Sequence, residues 1–360
     1  MRTWLGPALL AACILIGTPS VERIEAQSPK LKAIWEPVNY KADLMLFDVH
    51  FVDDNTGWVA GGATELAGGV ILYTKDAGRS WEVQYGDPKS SDRAVFALRF
   101  LDGKLGWATQ DSPLDAKLLK TVDGQNWEQA GAINSHYTDL AFTSPLNGTY
   151  LDGRNIYRTQ DGGRQWQPAA QCVVQAEIDG LTKNVECQFS AVHFPSAEIG
   201  YVAAGSVKDL FCIFKTADAG LTWKSSTATG SEGAANAITF TDPNVGYVRT
   251  GYPDSGRLFR TSDGGTTWTG AGASPGVTMK FVDAQVGWSF HYNKLSFTTN
   301  GGTRWTSRTF PFPVSPRAFS LPSRTRAYVV GDHGMIYRYS VVPFEYTSKG
   351  MIDAPMMPGH

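Results

Sequence analysis

The chain has 360 residues, 42% of them apolar and 18% charged, with a formal net charge of −2 at pH 7. That is enough apolar material for a large core and too little charge for a disordered or charge-rich helical chain. It also leaves no excess of positive charge with which to hold nucleic acid.

The first residues, Met1-Arg-Thr-Trp-Leu, carry one positive charge and lead into Leu9-Leu-Ala-Ala-Cys-Ile-Leu-Ile16, an apolar run too brief to span a bilayer. Residues 1–26 read as an export signal cleaved after Ala26, which places the mature chain in the periplasm or cell envelope, in oxidising surroundings. Leu10-Ala-Ala-Cys13 also has the form of a lipoprotein box, and lipid on Cys13 would give a membrane tether. Next comes Ile34-Trp-Glu-Pro-Val38, a strand-like segment with no strands of its own before it.

From there two patterns alternate. One is Phe51-Val-Asp-Asp-Asn-Thr-Gly-Trp58, which returns at Phe100–Trp107, Phe194–Tyr201, Phe240–Tyr247 and Phe281–Trp288, and in degenerate form at Phe142–Thr149 and Leu321–Tyr328. Each copy joins an aromatic strand end, a polar turn and an aromatic strand start. The other is Thr74-Lys-Asp-Ala-Gly-Arg-Ser-Trp81, built on Asp76 and Trp81. It returns with Asp123 and Trp127, Asp161 and Trp166, Asp218 and Trp223, Asp263 and Trp268, and Asn300 and Trp305. Here the acid and the threonine hold a tight hairpin by hydrogen bonds, glycine supplies positive φ, and the tryptophan opens the returning strand. Successive tryptophans lie from 37 residues apart (268 to 305) to 57 apart (166 to 223), the length of one propeller blade.

These repeats predict an all-β fold: a seven-bladed β-propeller of four-stranded antiparallel blades over residues 27–343, followed by a C-terminal tail over 344–360. The last blade has no Asp-containing hairpin, so Ile34–Val38 is expected to supply its outer strand and close the ring.

The same acid at the same place in successive blades is a turn residue, and Asn300, which keeps the hydrogen bond but not the acidity, says the same. One residue before each strand-end aromatic stand His50, Arg99, Ala141, His193, Thr239, Lys280 and Ser320, positions expected to line the central channel. His136, His291 and His333 lack metal-site spacing, and neither a metal nor a cofactor is expected. Of the cysteines after the signal, Cys172 with Cys187 would staple the long connection 168–188, and Cys187 with Cys212 is the alternative; Cys212 sits in the apolar run Leu210–Phe214. Variable loops opposite the Asp-containing hairpins are where binding belongs. Arg93, Arg249, Arg257 and Arg317 lie on or near that face as candidates for an acidic partner.

With both patterns in hand, the chain resembles the Asp-box (BNR) propellers, and above all the photosystem II stability and assembly factors, from about Ile34 to Tyr339. The resemblance implies an exported, non-enzymatic scaffold that binds a protein partner, a membrane protein complex or its assembly intermediate, through clustered arginines; a monomer is expected. The rival is a carbohydrate-binding or sialidase-like glycoside hydrolase of the cell envelope. Sialidases share only the hairpin: where they carry Arg-Ile-Pro, this chain has Arg23-Ile-Glu25, inside the expected signal.

Overall fold

A computed structural model describes residues 30–347 and 350–353, apart from 114, 135, 179, 206–210, 229–232 and 252–254. The expected signal, Cys13 and the end of the tail lie outside the described residues.

Residues 33–341 form one compact unit, the propeller. Its seven sheets follow one another along the chain, each running from an innermost to an outermost strand. The innermost strands are Met45–Phe51, Val95–Phe100, Asp139–Phe142, Gln188–His193, Ala235–Phe240, Thr278–Phe281 and Pro316–Ser323. In blade seven the outer strand is the N-terminal Lys30–Pro37, laid beside Ile336–Thr347, so the first strand of the chain completes the last blade. After the propeller, Phe344–Thr347 pairs antiparallel with Gly350–Asp353.

The two sequence patterns meet in one piece of packing. The aromatic that opens the second strand of a blade stacks flat on the phenylalanine that ends the first strand of the next. Tyr328 lies on Phe51, Trp58 on Phe100, Trp107 on Phe142, Tyr201 on Phe240 and Tyr247 on Phe281, with centroids 3.4 to 4.6 Å apart. The tryptophan of the Asp-containing hairpin meets the same phenylalanine edge-on from within its own blade, as Trp81 does Phe51 and Trp127 does Phe100. Each such pair is worth about 0.5–1.5 kcal/mol beyond the area it buries. The glycine of the first pattern is there because the phenylalanine ring covers it. A Cβ on Gly57, Gly106, Gly148, Gly200, Gly246 or Gly287 would come within 2.4 to 2.6 Å of that ring. Two blades depart from the scheme. Thr149 replaces the ring in blade three and Leu321 the phenylalanine in blade seven. In the latter, Trp35 from the N-terminal strand takes the tryptophan's part, 5.9 Å from Trp288 and 5.3 Å from Tyr339. Arg338 seals the join: it is 8% exposed, and it donates to the Glu36 carboxylate and to the Ala77 carbonyl of blade one.

The hairpins repeat one hydrogen-bond set. In the first, Thr74 Oγ1 donates to Asp76 Oδ1 at 2.8 Å and accepts the Gly78 N–H, while Asp76 Oδ1 accepts the Ser80 N–H at 2.9 Å. Asn300 reproduces it, accepting from Thr298 Oγ1 at 2.9 Å and from the Arg304 N–H at 3.0 Å. The turn also demands left-handed backbone, and Ala77 (φ 62°) and Ala219 (φ 58°) adopt it where other hairpins use glycine. A side chain there costs on the order of 1 kcal/mol.

Two substitutions of opposite sign test this packing. Gly106→Ala should push Phe100 off Trp58 and destabilise by roughly 1–3 kcal/mol, whereas Ala219→Gly should stabilise by about 1 kcal/mol. Urea midpoints at constant slope read both; a neutral Gly106→Ala would contradict the sandwich.

Candidate functional site

Of the seven positions expected at the channel, Arg99, His193, Lys280 and Ser320 bond to a neighbouring blade. Arg99, on the innermost strand of blade two, donates to Asp48 of blade one at 3.2 Å, and to Asp139 and the Leu140 carbonyl of blade three at 2.9 and 2.8 Å. Asp48 also accepts the Leu98 N–H, and Asp139 the Val192 N–H of blade four. His193 bonds the backbone of Phe240 in blade five, Lys280 of blade six donates to the Phe319 carbonyl of blade seven, and the Phe51 N–H donates to Ser320 Oγ across the join.

On the innermost strands protein surrounds these groups, and that sets their charge. Burial, helped by Lys280 and opposed by Asp48, brings His50 down to about 4; burial, outweighing the pull of Asp139, does the same to His193. Both are therefore neutral at pH 7. Burial also lowers Lys280 against the attraction of Asp48, while at Arg99 it is overcome by Asp139 and Asp48, which raise its pKa. Among the described residues no group of acids, histidines and cysteines is gathered closely enough to hold a metal ion.

The hairpin acids stand apart, one per blade, each held by its own turn. Asp218 is lowered to about 2 by the hydroxyl and N–H of Thr222 and by Thr216, and Asp263 to about 2 by the same groups of Thr267 and by Thr261.

The four candidate arginines are not gathered at one point. Arg93 pairs with Asp111 at 2.7 Å, and Arg317 forks onto both oxygens of Asp332 at 2.6 and 3.1 Å. Arg257 is exposed at the start of a strand in blade five. Arg249 is 3% exposed in the preceding strand of that blade; it donates to Asn236 Oδ1 and Ser274 Oγ, and burial lowers its pKa.

The long connection after Trp166 is more than a loop. Gln167–Gln171 is the outer strand of blade three, and Val173–Ile178 then pairs with Leu181–Glu186 in a two-stranded hairpin. Cys172 and Cys187 are disulfide-bonded at its base, with the Cys187 N–H on the Cys172 carbonyl. Val174 and both cysteines pack with Phe189, Phe214 and the free thiol of Cys212. Burial pushes that thiol up to about 11, which makes it a core residue and not a nucleophile. Asp179-Gly180 between alternating residues was the signal for this hairpin.

Sheet count, repeats and stitched channel define a seven-bladed propeller of the Asp-box kind. The chain belongs to the photosynthesis system II assembly factor YCF48 family, whose model matches residues 27–134 and 120–277. Among solved structures it is similar to YCF48 bound to a D1 peptide, with a TM-score of 0.61 and 18% identity over 85% of this chain and 96% of that one. YCF48 from Cyanidioschyzon merolae gives 0.61 and 17% over 85% and 98%. The GH74 enzyme of Niastella koreensis gives 0.59 and 14% over 84% of this chain and 53% of its own. At such identities these likenesses are of fold. No curated protein matches.

The neutral histidines give a pH test. Their folded values, about 4, lie below the ordinary 6.5, so the unfolded chain binds more protons between the two. Stability should be flat above pH 6.5 and fall as pH drops from 6.5 to 4; Asp218 and Asp263, folded near 2 against 3.8, add a separate loss below 3.8. In His50→Gln, His193→Gln the upper fall should flatten. Urea midpoints across pH 4–8 check it, and an unchanged slope would contradict the assignment.

Proposed function

We propose that this protein is an exported, non-catalytic, monomeric scaffold that binds a segment of a membrane protein complex during its assembly or maintenance. The observation that carries the reading is membership of the YCF48 family across residues 27–277. YCF48 itself is seen bound to a D1 peptide, and that supports a protein segment as the ligand class here. The Cys172–Cys187 bond supports an oxidising compartment, since such bonds persist outside the reducing cytosol.

The glycosidase rival is weaker on the geometry. Glycoside hydrolysis needs two carboxyl groups facing each other across one bond, about 5–9.5 Å apart, whereas the hairpin acids belong to separate blades and each is saturated by its own turn. Recognition is assigned to the opposite face, where Arg93, Arg257 and Arg317 reach the surface. Arg249 is too buried to meet a partner directly.

The protein should capture a defined membrane complex from detergent extracts, quantified by mass spectrometry against a beads-only control. Arg93→Glu with Arg257→Glu should reduce that capture several-fold, more so at low salt. Capture indifferent to the charge reversal would remove the arginines from the interface. Turnover of a glycoside panel by the purified protein would end the scaffold reading.

A further inference from the structure

Five of the seven innermost strands slip register by one residue near the end facing away from the Asp-containing hairpins. The extra residues are Phe47, Phe96, Ser190, Asn236 and Arg317. A bulge takes a residue out of the ladder and re-aims its side chain, and bulges gather beside working sites.

At blades four and five the re-aimed groups are taken up by bonds within the chain, although Ser190 is only half-buried and Asn236 is exposed. Ser190 Oγ donates to the Ala235 carbonyl, and Asn236 accepts from Arg249. At blades seven, one and two they stay half-exposed and form an aromatic and cationic row. The Phe47 and Phe96 rings lie 4.5 Å apart, and the Arg317 guanidinium sits 5.0 Å over Phe47. Asp332 takes Arg317 Nε and Nη2, which leaves Nη1 as a further donor of the fork.

Arg317 is also one wall of a cleft of about 260 Å³ between blades six and seven, lined by Val277, Phe290, Pro316 and Phe319. Over it stands Tyr292, 64% exposed, with φ 50°. It begins the two-residue turn between the paired His291 and Lys294, a place that asks for Asn, Asp or Gly. A bulky residue in left-handed backbone is strained, and strain of this kind collects at ligand clamps.

We infer that this cleft receives one large apolar side chain of the partner's extended segment, with Tyr292 as its cap and Arg317 donating to a carbonyl or carboxylate beside it. The inference rests on the scaffold reading above and locates its contact. The volume suits one side chain and not a helix, the lining is aromatic and aliphatic, and the adjoining fork of Arg317 meets main-chain or carboxylate oxygens. A peptide is therefore the occupant, the ligand class seen with YCF48.

Anisotropy of a fluorescein-labelled D1 peptide with the full-length protein tests it. Tyr292→Gly should weaken binding about tenfold while raising Tm by about 1–2 °C, because it relieves the turn. A residue serving only the fold would not move the two in those directions. Tyr292→Phe should bind like wild type, as should Leu221→Asp in the Asp218 hairpin on the opposite face. Equal affinity of wild type and Tyr292→Gly overturns the cleft and leaves the scaffold reading standing. Failure of wild type to bind either this peptide or any membrane complex overturns the scaffold reading, and the cleft with it.

Discussion

The ring depends on a stack of three groups repeated from blade to blade: a glycine with no side chain, a phenylalanine lying over it, and an aromatic of the preceding blade pressed on the other face of that phenylalanine. Because the Phe100 ring sits where a Cβ of Gly106 would be, the first pattern's glycine and phenylalanine cannot be changed one at a time. Because Trp58 stacks on Phe100 from the neighbouring blade, the same phenylalanine fixes the spacing between blades. The Asp-containing hairpin holds the third contact, placing Trp127 edge-on to Phe100. The acids act two steps from the stack they serve: they shape the turn, the turn places the tryptophan, and the tryptophan clamps the ring. Asn300 works as well because the turn needs an acceptor and not a charge.

Toward the axis the aromatic stack gives way to polar bonds, and the two arrangements divide the work. Polar side chains on the innermost strands meet backbone N–H and carbonyl groups of adjacent blades that would otherwise go unpaired in a confined space. Arg99, Asp48 and Asp139 answer that by joining three blades through one guanidinium and handing the remaining oxygens to the N–H groups of Leu98 and Val192. An arginine bonded to two carboxylates survives such burial, whereas at His50 and His193 burial outweighs the one nearby acid and the imidazole gives up its proton.

Much of this was legible in the sequence because repetition does what an alignment would: six hairpins and seven first turns vary around one solution, so the residues that do not vary are those the geometry requires. Blade number, the order of strands and the N-terminal origin of the last strand all follow from that. Single events were harder to read. The hairpin at Val173–Glu186 occurs once, so its Asp-Gly turn had nothing to be compared with, and it looked like a long connection. The bulges at Phe47, Phe96 and Arg317 leave no mark in the pattern of apolar and polar residues, because one extra residue at a strand end does not disturb the alternation beyond it. The arginines illustrate a third limit. Arg249 and Arg317 are alike in sequence, yet one is closed in beneath Asn236 and the other stands at the rim, and only the register of the strands separates them.

Backbone strain then separates the scaffold from the place where it is used. Ala77 and Ala219 lie in left-handed turns, but alanine is the smallest side chain that can do so, and the rest of each hairpin is unchanged around it. Tyr292 pays the same conformational cost with a large ring left mostly in water, in a turn that blade three solves with Gly153 at φ 85°. Nothing in the hairpin's own hydrogen bonding asks for a tyrosine there. His333, also in left-handed backbone at φ 57°, bonds Asp43 within the fold, whereas Tyr292 rests on the neighbouring His291 ring with most of its surface in water, and a residue that breaks local preference for so little inside the fold points outward, to something the chain holds and does not itself contain.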